Sequence, residues 1–251
     1  LQRRIETMGS NDEFDQLAIS LNAMLDEIEQ LMSGIRHVTD NVAHDLRTPL
    51  TRLRTRLEQL YTKLDADSQN AAYVEQSIAD ADQLLATFGA LLRIARIEAG
   101  GVKTSIETVD LAALVTDAAE LYDAVADENQ VKIDLQLEAK PQLQGERDLL
   151  FQAIINLLDN AIKYSPAGGR IRMCLSEHDN HPVMSIEDNG PGIPVAEREK
   201  VLQRFYRLDQ SRSQYGSGLG LSLVAAVARM HNATIGFSDN HPGLIAELHF
   251  R

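Results

Sequence analysis

Cysteine is nearly absent from this sequence: Cys174 is the single one in 251 residues. No intramolecular disulfide can form, and a reducing compartment fits. Cys174 lies in the strand-like run RIRMCLSE, where a buried structural thiol is expected and a nucleophile is not. Long apolar runs are also missing. None approaches the roughly 18 residues that suggest a membrane span, and no signal peptide is visible. Basic residues are outnumbered, 24 Lys and Arg against 37 Asp and Glu, for a net charge of −13. A surface that grips phosphate backbones needs the opposite balance, so no nucleic-acid partner is expected. The acidic excess is read as serving solubility. An initiating methionine is lacking too. The chain opens at Leu1 within a polar, helix-like stretch, so it is expected to be a piece of a longer protein.

What is present is ordinary for a globular protein: 44% hydrophobic and 24% charged residues. From Phe14 the apolar positions follow a heptad rhythm through Leu17, Leu21, Met24, Ile28, Leu31, Ile35, Val38 and Val42. That is a coiled-coil or bundle seam. Two four-residue steps in a row, to Leu46 and Leu50, form a stutter that locally unwinds a supercoil. The alternation resumes at Leu53, Leu57, Leu60 and Leu64. The polar stretch 63–72 reads as a turn. A second seam runs through Val74, Ile78, Ala81, Leu85, Phe88, Leu92 and Ala95, and stops at Gly100-Gly101. Two such helices make an antiparallel hairpin. One hairpin leaves an apolar face uncovered, so a homodimer forming a four-helix bundle is expected. Beyond Gly101 strands and helices mix. SIETVDL and VKIDLQL read as strands flanking a helix near 111–127, and 146–165 is a strong helix. RIRMCLSEHDNHPVMSIEDNG reads as a hairpin turning at Asp-Asn-His-Pro. A helix GLSLVAAVARM and a closing strand pair complete an α+β sandwich.

The stutter falls on NVAHDLRTPLTRLR, residues 41–54. His44 is two residues from both Val42 and Leu46, roughly 200° from the seam at about 100° per residue, so it should face solvent. Thr48 lies about 40° from His44 on that face, and Asp45 about 100° round. Pro49 removes an N–H and crowds the carbonyl of Asp45, which predicts a bend at 44–49. A kinked helix with an ordinary surface histidine accounts for these residues equally well when they are taken alone. His37, without that pattern, reads as a surface histidine.

Three clusters in the second half suit one nucleotide. On helix 146–165, Leu150, Ile154, Leu157 and Ala161 mark the core face. Asn156, Asn160 and Lys163 share another face. Asn160 offers an oxygen for a hard cation such as Mg²⁺, Lys163 a charge for phosphate, and Tyr164 a ring to cover a base. EDNGPGIP (187–194) places Asp188 at a strand end, where it can accept from an exocyclic amine. Gly190 and Gly192 allow close backbone approach. YGSGLGLSLV (215–224) carries Gly216, Gly218 and Gly220 into a helix start, an arrangement that cradles phosphates. It is neither a Rossmann fingerprint nor a Walker loop. Between the last two clusters, RFYRLDQSRSQ (204–214) reads as a mobile lid. Any one cluster alone is a plain turn or a polar helix face; the set in this order is specific. His178 and His181, or His231 and His241, could be paired on a metal, but nothing near them in the sequence supports that reading.

These segments resemble the sensor histidine kinases of bacterial two-component systems. HDLRTP looks like the phosphoacceptor H box, NLLDNAIKYS the N box, DNGPGIP the first glycine box, RFYR the F box and GSGLGLSLV the second glycine box. Residues 1–33, DEFDQLAISLNAMLDEI above all, resemble the second helix of a HAMP signalling module. The resemblance implies three parts: a partial HAMP helix (1–33), a dimerising histidine-phosphotransfer hairpin (34–100) and a Bergerat-type ATP-binding sandwich (101–251). It implies ATP and Mg²⁺ as cofactors. It gives His44 as phosphoacceptor, Asp45 as its orienting base, Arg207 at the γ-phosphate and Asn160 on Mg²⁺. Asn156, Lys163, Tyr164, Asp188, Gly190, Gly192, Gly216, Gly218 and Gly220 would bind nucleotide. HDLRT also matches the family's phosphatase pattern, in which Thr48 positions a water. The implied protein is a homodimer that passes phosphoryl to the receiver domain of a response regulator and removes it again. Through segments preceding this chain it would sit on the cytoplasmic side of the bacterial inner membrane. Three positions depart from the family pattern: Leu202 replaces the first F-box phenylalanine, Ser217 a threonine, and the end after His231 lacks the usual glycines. The competing readings are a Bergerat-fold ATPase of the gyrase or chaperone kind and an ATP-binding scaffold without histidine phosphorylation.

Overall fold

The computed structural model describes residue 5 and residues 13–64, 68–100, 106–208 and 216–251. The side chains of 13, 14, 28–33, 35–44 and 47 also lie outside the description. The chain divides into two compact units, Leu1–Val102 and Lys103–Arg251.

The first unit is a helical hairpin. Helix α1 spans Glu13–Tyr61 and α2 spans Gln69–Glu98. α1 runs unbroken through Pro49, so the lost N–H removes one hydrogen bond without ending the helix. The expected seam overshoots by one position: α1 stops at Tyr61, and Leu64 lies in the turn, where its N–H reaches Tyr61 O. α2 starts inside the stretch read as a turn. Ser68 is its N-cap and accepts from Ala71 N at 3.2 Å, a side-chain cap that offsets a donor the helix leaves unpaired. Across the hairpin Arg54 pairs with Asp82 at 2.8 Å. α2 buries Ala71, Ala81, Ile94 and Ile97. Seam residues Leu17, Leu21, Met24, Leu53 and Leu60 stay exposed on the single chain, an apolar stripe that α2 does not cover.

The second unit is an α+β sandwich. Strand β1 (Glu107–Asp110) leads into helix α3 (Leu111–Glu128), capped by Asp110 through Ala113 N at 3.0 Å. β2 (Lys132–Leu137) and β3 (Gln142–Gly145) follow, then helix α4 (Arg147–Tyr164). β3 was not anticipated, because it is short and polar; it pairs antiparallel with β1 in a small separate sheet. β4 (Arg170–His178) and β5 (His181–Glu187) form the expected hairpin. Its turn is tighter than read: only Asp179 and Asn180 lie outside the strands, at φ of 50° and 62°. A two-residue turn with both φ positive matches the strand twist, so His181 and Pro182 join β5. After two short 3-10 turns, Val195–Glu197 and Lys200–Leu202, come α5 (Gly220–Met230), β6 (Thr234–Asp239) and β7 (Leu244–His249).

The main sheet has order β2-β4-β5-β7-β6, parallel only at β2–β4. The period of two sends Ile171, Met173, Leu175, Met184, Ile186, Ala246 and Leu248 to one buried face. The helices cover that face with Leu114, Val115, Leu150, Ile154, Leu158, Val224 and Val227. The other face is charged, with Arg172 on Glu187 at 2.9 Å and Arg170 on Asp134 at 3.2 Å. The same period corrects the reading of Cys174. It points to the charged face and is half-buried, 3.7 Å from Glu187 and 3.6 Å from Gln136. Partial burial, then the Glu187 charge, push its thiol pKa up, which disfavours a thiolate.

His231 ties the end of α5 to the start of α4. Its Nδ1 donates to Val227 O at 2.8 Å, and its Nε2 accepts from Glu146 N at 2.9 Å. Truncation to Ala would strand the Glu146 N–H. His231→Ala is therefore expected to lower stability by about 1–2 kcal/mol. The urea midpoint checks this, with an unshifted midpoint counting against the bridge.

Candidate active site

α4 is the base of the site. Glu146 caps it, accepting from Leu149 N at 2.5 Å, and Leu150, Ile154, Leu157 and Ala161 lock it into the core as expected. Its polar face is thereby turned away from the core. Asn156, Asn160, Lys163 and Tyr164 are all half-buried. Asn156 Nδ2 donates to Gln152 O at 2.8 Å, so its Oδ1 points outward.

The glycine segments close on that face. A Cβ at Gly220 would stand 3.4 Å from Asn156 Oδ1 and 3.8 Å from Asn160 Nδ2. A Cβ at Gly216 would stand 2.8 Å from Lys163 Nζ. A Cβ at Gly190 would stand 2.5 Å from Tyr164 O. Side chains there would fill the space in front of α4. Gly218 has φ of +69°, and a Cβ would strike Phe205 at 2.9 Å, so this position admits only glycine without strain. Ser217 is half-buried in the same loop. Lys163 Nζ lies 5.3 Å from the Tyr164 ring centroid. Arg207 Nη1 donates to Gly216 O at 2.8 Å, joining the F-box segment to the second glycine loop. Leu202 is half-buried in the second 3-10 turn beside the buried Val201. The rest of the expected lid, 209–214, lies outside the described residues.

Asp188 is 7% exposed. Its Oδ1 accepts from Gly190 N at 2.8 Å and Leu244 N at 3.2 Å, and neither bond uses Oδ2. Burial raises its pKa, and the two N–H donors pull it back. Asn240 Nδ2 donates to Asp188 O at 2.7 Å, and Asp188 N donates to Leu244 O at 2.9 Å. Gly243, at φ of +120°, packs its Cα against Asp188, where any Cβ would overlap the carbonyl. Sequence reasoning missed the support that Asn240, Gly243 and Leu244 give Asp188; the signal available was the Asp-Asn-His-Pro-Gly turn itself. Asn189 was missed as well: its Oδ1 accepts from Arg170 N at 3.0 Å and anchors the turn to β4. Burial, and after it the charge of Asp159 next to Asn160, pushes the Tyr122 hydroxyl up to about 12.

In the first unit the backbone of His44 is helical, but its side chain lies outside the described residues. Asp45, Thr48 and Pro49 are exposed, while Leu46 and Leu50 are half-buried. That is the phase the seam predicts.

Residues 145–251 match the family described as histidine kinase-, DNA gyrase B- and HSP90-like ATPase. Residues 34–100 match the His Kinase A (phospho-acceptor) domain. The signal transduction histidine-protein kinase/phosphatase MprB of Mycobacterium sp. (strain KMS) is 36% identical over 248 residues, covering 96% of this chain and 47% of the relative. The chain thus spans about half the length of the curated relatives it matches. A solved structure of the mycobacterial sensor histidine kinase MprB is 32% identical with a TM-score of 0.52, covering 58% of this chain and 96% of that one. Full-length ShkA in complex with AMPPNP shares the fold at a TM-score of 0.73 and 23% identity, over 85% of this chain and 45% of that one. The chain belongs to the bacterial sensor histidine kinases. Among the described residues no helix is long and apolar enough to cross a membrane.

Proposed function

We propose that this chain is the catalytic portion of an ATP-dependent protein-histidine kinase that also dephosphorylates its response regulator. The approach of Gly216 and Gly220 to the polar face of α4, with Gly190 at the helix end and Arg207 holding Gly216 O, carries the reading. The kinase/phosphatase name of its mycobacterial relative supports it. The parts are a partial HAMP helix (1–33), a phosphotransfer hairpin (34–100) and an ATP-binding domain (101–251). The first division falls inside α1. The exposed stripe on α1 suits a second copy, giving a dimeric four-helix bundle. The family implies a sensor of the inner membrane with this portion on the cytoplasmic side.

ATP would enter with its adenine amine at Asp188 Oδ2, close to the turn formed by Gly190 and Gly192. Tyr164 covers the base. Lys163 meets phosphate oxygens, and the backbone at Gly216, Gly218 and Gly220 cradles them. The space before Gly220 is bordered by Asn156 Oδ1 and by the side-chain amide of Asn160; an amide oxygen suits Mg²⁺, and Asn160 would be its ligand with the amide turned to present that oxygen. A cation held there would supply positive charge against the phosphates. An imidazole nitrogen of His44 attacks the γ-phosphorus. The new P–N bond forms as the bond to the ADP oxygen breaks, and the imidazole proton passes to Asp45. Arg207 offsets charge on the transferring phosphoryl. The phosphoryl then moves from His44 to a receiver aspartate. Thr48 positions the water for the reverse function.

The deciding experiment incubates the dimer with γ-labelled ATP and Mg²⁺. Label on protein should be acid-labile and alkali-stable, as a phosphoramidate is; ATP turnover or binding without such label would favour the ATPase or scaffold reading. Thr48→Ala is expected to slow regulator dephosphorylation at least about tenfold while autophosphorylation stays within about twofold. Phosphatase rates with purified phosphorylated regulator test this, and an intact rate removes Thr48 from the mechanism.

A further inference from the structure

The segment between the two glycine boxes carries polar contacts that nucleotide binding does not use. Arg198 pins it to the sheet edge: Nη1 donates to Phe237 O at 3.1 Å, Nη2 to Asp239 Oδ1 at 2.5 Å, and Nε to Ile193 O at 3.2 Å. Val201 is buried beneath it. These contacts make a fixed platform of residues 193–202. From that platform Glu197 reaches forward. One carboxylate oxygen accepts from Tyr206 Oη, and the other accepts from Lys200 Nζ at 3.0 Å. Those two donors hold its carboxyl below the usual range, so it stays ionised and ready to accept.

Tyr206 sits between two residues that matter. Phe205 before it adopts φ of 62°, a left-handed backbone that a bulky aromatic rarely takes. Such a conformation persists only where neighbours over-determine it. Phe205 N donates to Gly218 O at 3.0 Å on one side, and Tyr206 is held by Glu197 on the other. Arg207 follows directly, and its guanidinium reaches Gly216 O. The direction in which Arg207 leaves the backbone is thus set by the turn that Tyr206 closes.

We propose that Glu197 is a positioning residue for Arg207, acting through the hydroxyl of Tyr206. The Glu197–Tyr206 bond fixes the left-handed turn at Phe205 and so aims the guanidinium at the second glycine loop. Its effect on rate rests on the kinase reading above; its effect on the turn does not.

The test uses the full chain with Tyr206→Phe, Glu197→Ala and Glu197→Gln. Trypsin cleavage after Arg204 and Arg207 is followed first, because it needs no catalysis. Tyr206→Phe and Glu197→Ala should speed that cleavage several-fold with the melting temperature unchanged. Glu197→Gln, which keeps an acceptor, should stay near wild type. Autophosphorylation should fall about tenfold in Tyr206→Phe, the worth of one hydrogen bond to a charged group, with ADP affinity unchanged. In an Arg207→Ala background Tyr206→Phe should cost nothing further. Unchanged cleavage overturns the proposal, as does a loss that adds fully to that of Arg207→Ala. Faster cleavage in a chain whose wild type takes no label would uphold the turn and sink the kinase reading instead.

Discussion

His44→Gln is expected to leave no acid-labile label on the protein, a loss of at least about a thousandfold, since the nucleophile itself is gone. Gln is of similar reach and is a better helix former than His, so α1 should be undisturbed. It has no basic ring nitrogen, and its amide cannot attack phosphorus. Nucleotide affinity should be unchanged, because the Asp188 and α4 contacts lie in the second unit. The expected result is therefore a split: full binding and no covalent product. Label surviving in His44→Gln would place the acceptor elsewhere. The exposure of Asp45 and Thr48, against half-buried Leu46 and Leu50, puts the side of the helix that carries them opposite its seam.

Asp188→Asn should weaken ATP binding about a hundredfold, or about 2.7 kcal/mol. Oδ1 is committed to Gly190 N and Leu244 N. If the Asn oxygen keeps those two bonds, its amide NH2 takes the place of Oδ2 and meets the adenine amine donor to donor. If it flips, the buried Gly190 N–H and the part-buried Leu244 N–H lose their acceptor. Either arrangement leaves unpaired donors, the case in which a polar site discriminates strongly. Titration calorimetry with ADP measures the loss, and an affinity within threefold of wild type removes Asp188 from base recognition. The acid form should act like the variant. Binding requires the ionised carboxylate, so it is complete above the folded-state pKa and lost as pH falls through it. Because burial raises that pKa above the ordinary 3.8, the loss should begin at higher pH than for an exposed aspartate. Adenosine, which has no phosphate to titrate, is the ligand for that measurement.

Local patterns in the sequence reach far here, and for a physical reason. Heptad steps, cap residues and glycine spacings act within a few residues of themselves. So α4, α5 and the β4–β5 hairpin could be placed before any coordinates, and α1 and α2 to within a few residues. The same holds for the face shared by Asn156, Asn160 and Lys163, which follows from helical phase alone. What local pattern cannot carry is register between distant segments. Leu244 supports Asp188 from 56 positions away, and His231 supports Glu146 from 85. Neither pairing has a local signature, and neither does the packing of Gly243 against Asp188. Cys174 shows the same limit. Its strand was legible, but which face the strand turns to the helices was settled by pairing with β2 and β5.

By itself, then, the amino-acid order determined the family, the hairpin, the helix faces and the order of the glycine and asparagine boxes, because each is written in short-range spacing. Only the tertiary structure decided how Asp188 is buried and oriented, what holds Arg207, and which side of the sheet is charged. Those depend on hydrogen bonds and packing between elements far apart in the chain, whose partners are chosen when the sheet assembles.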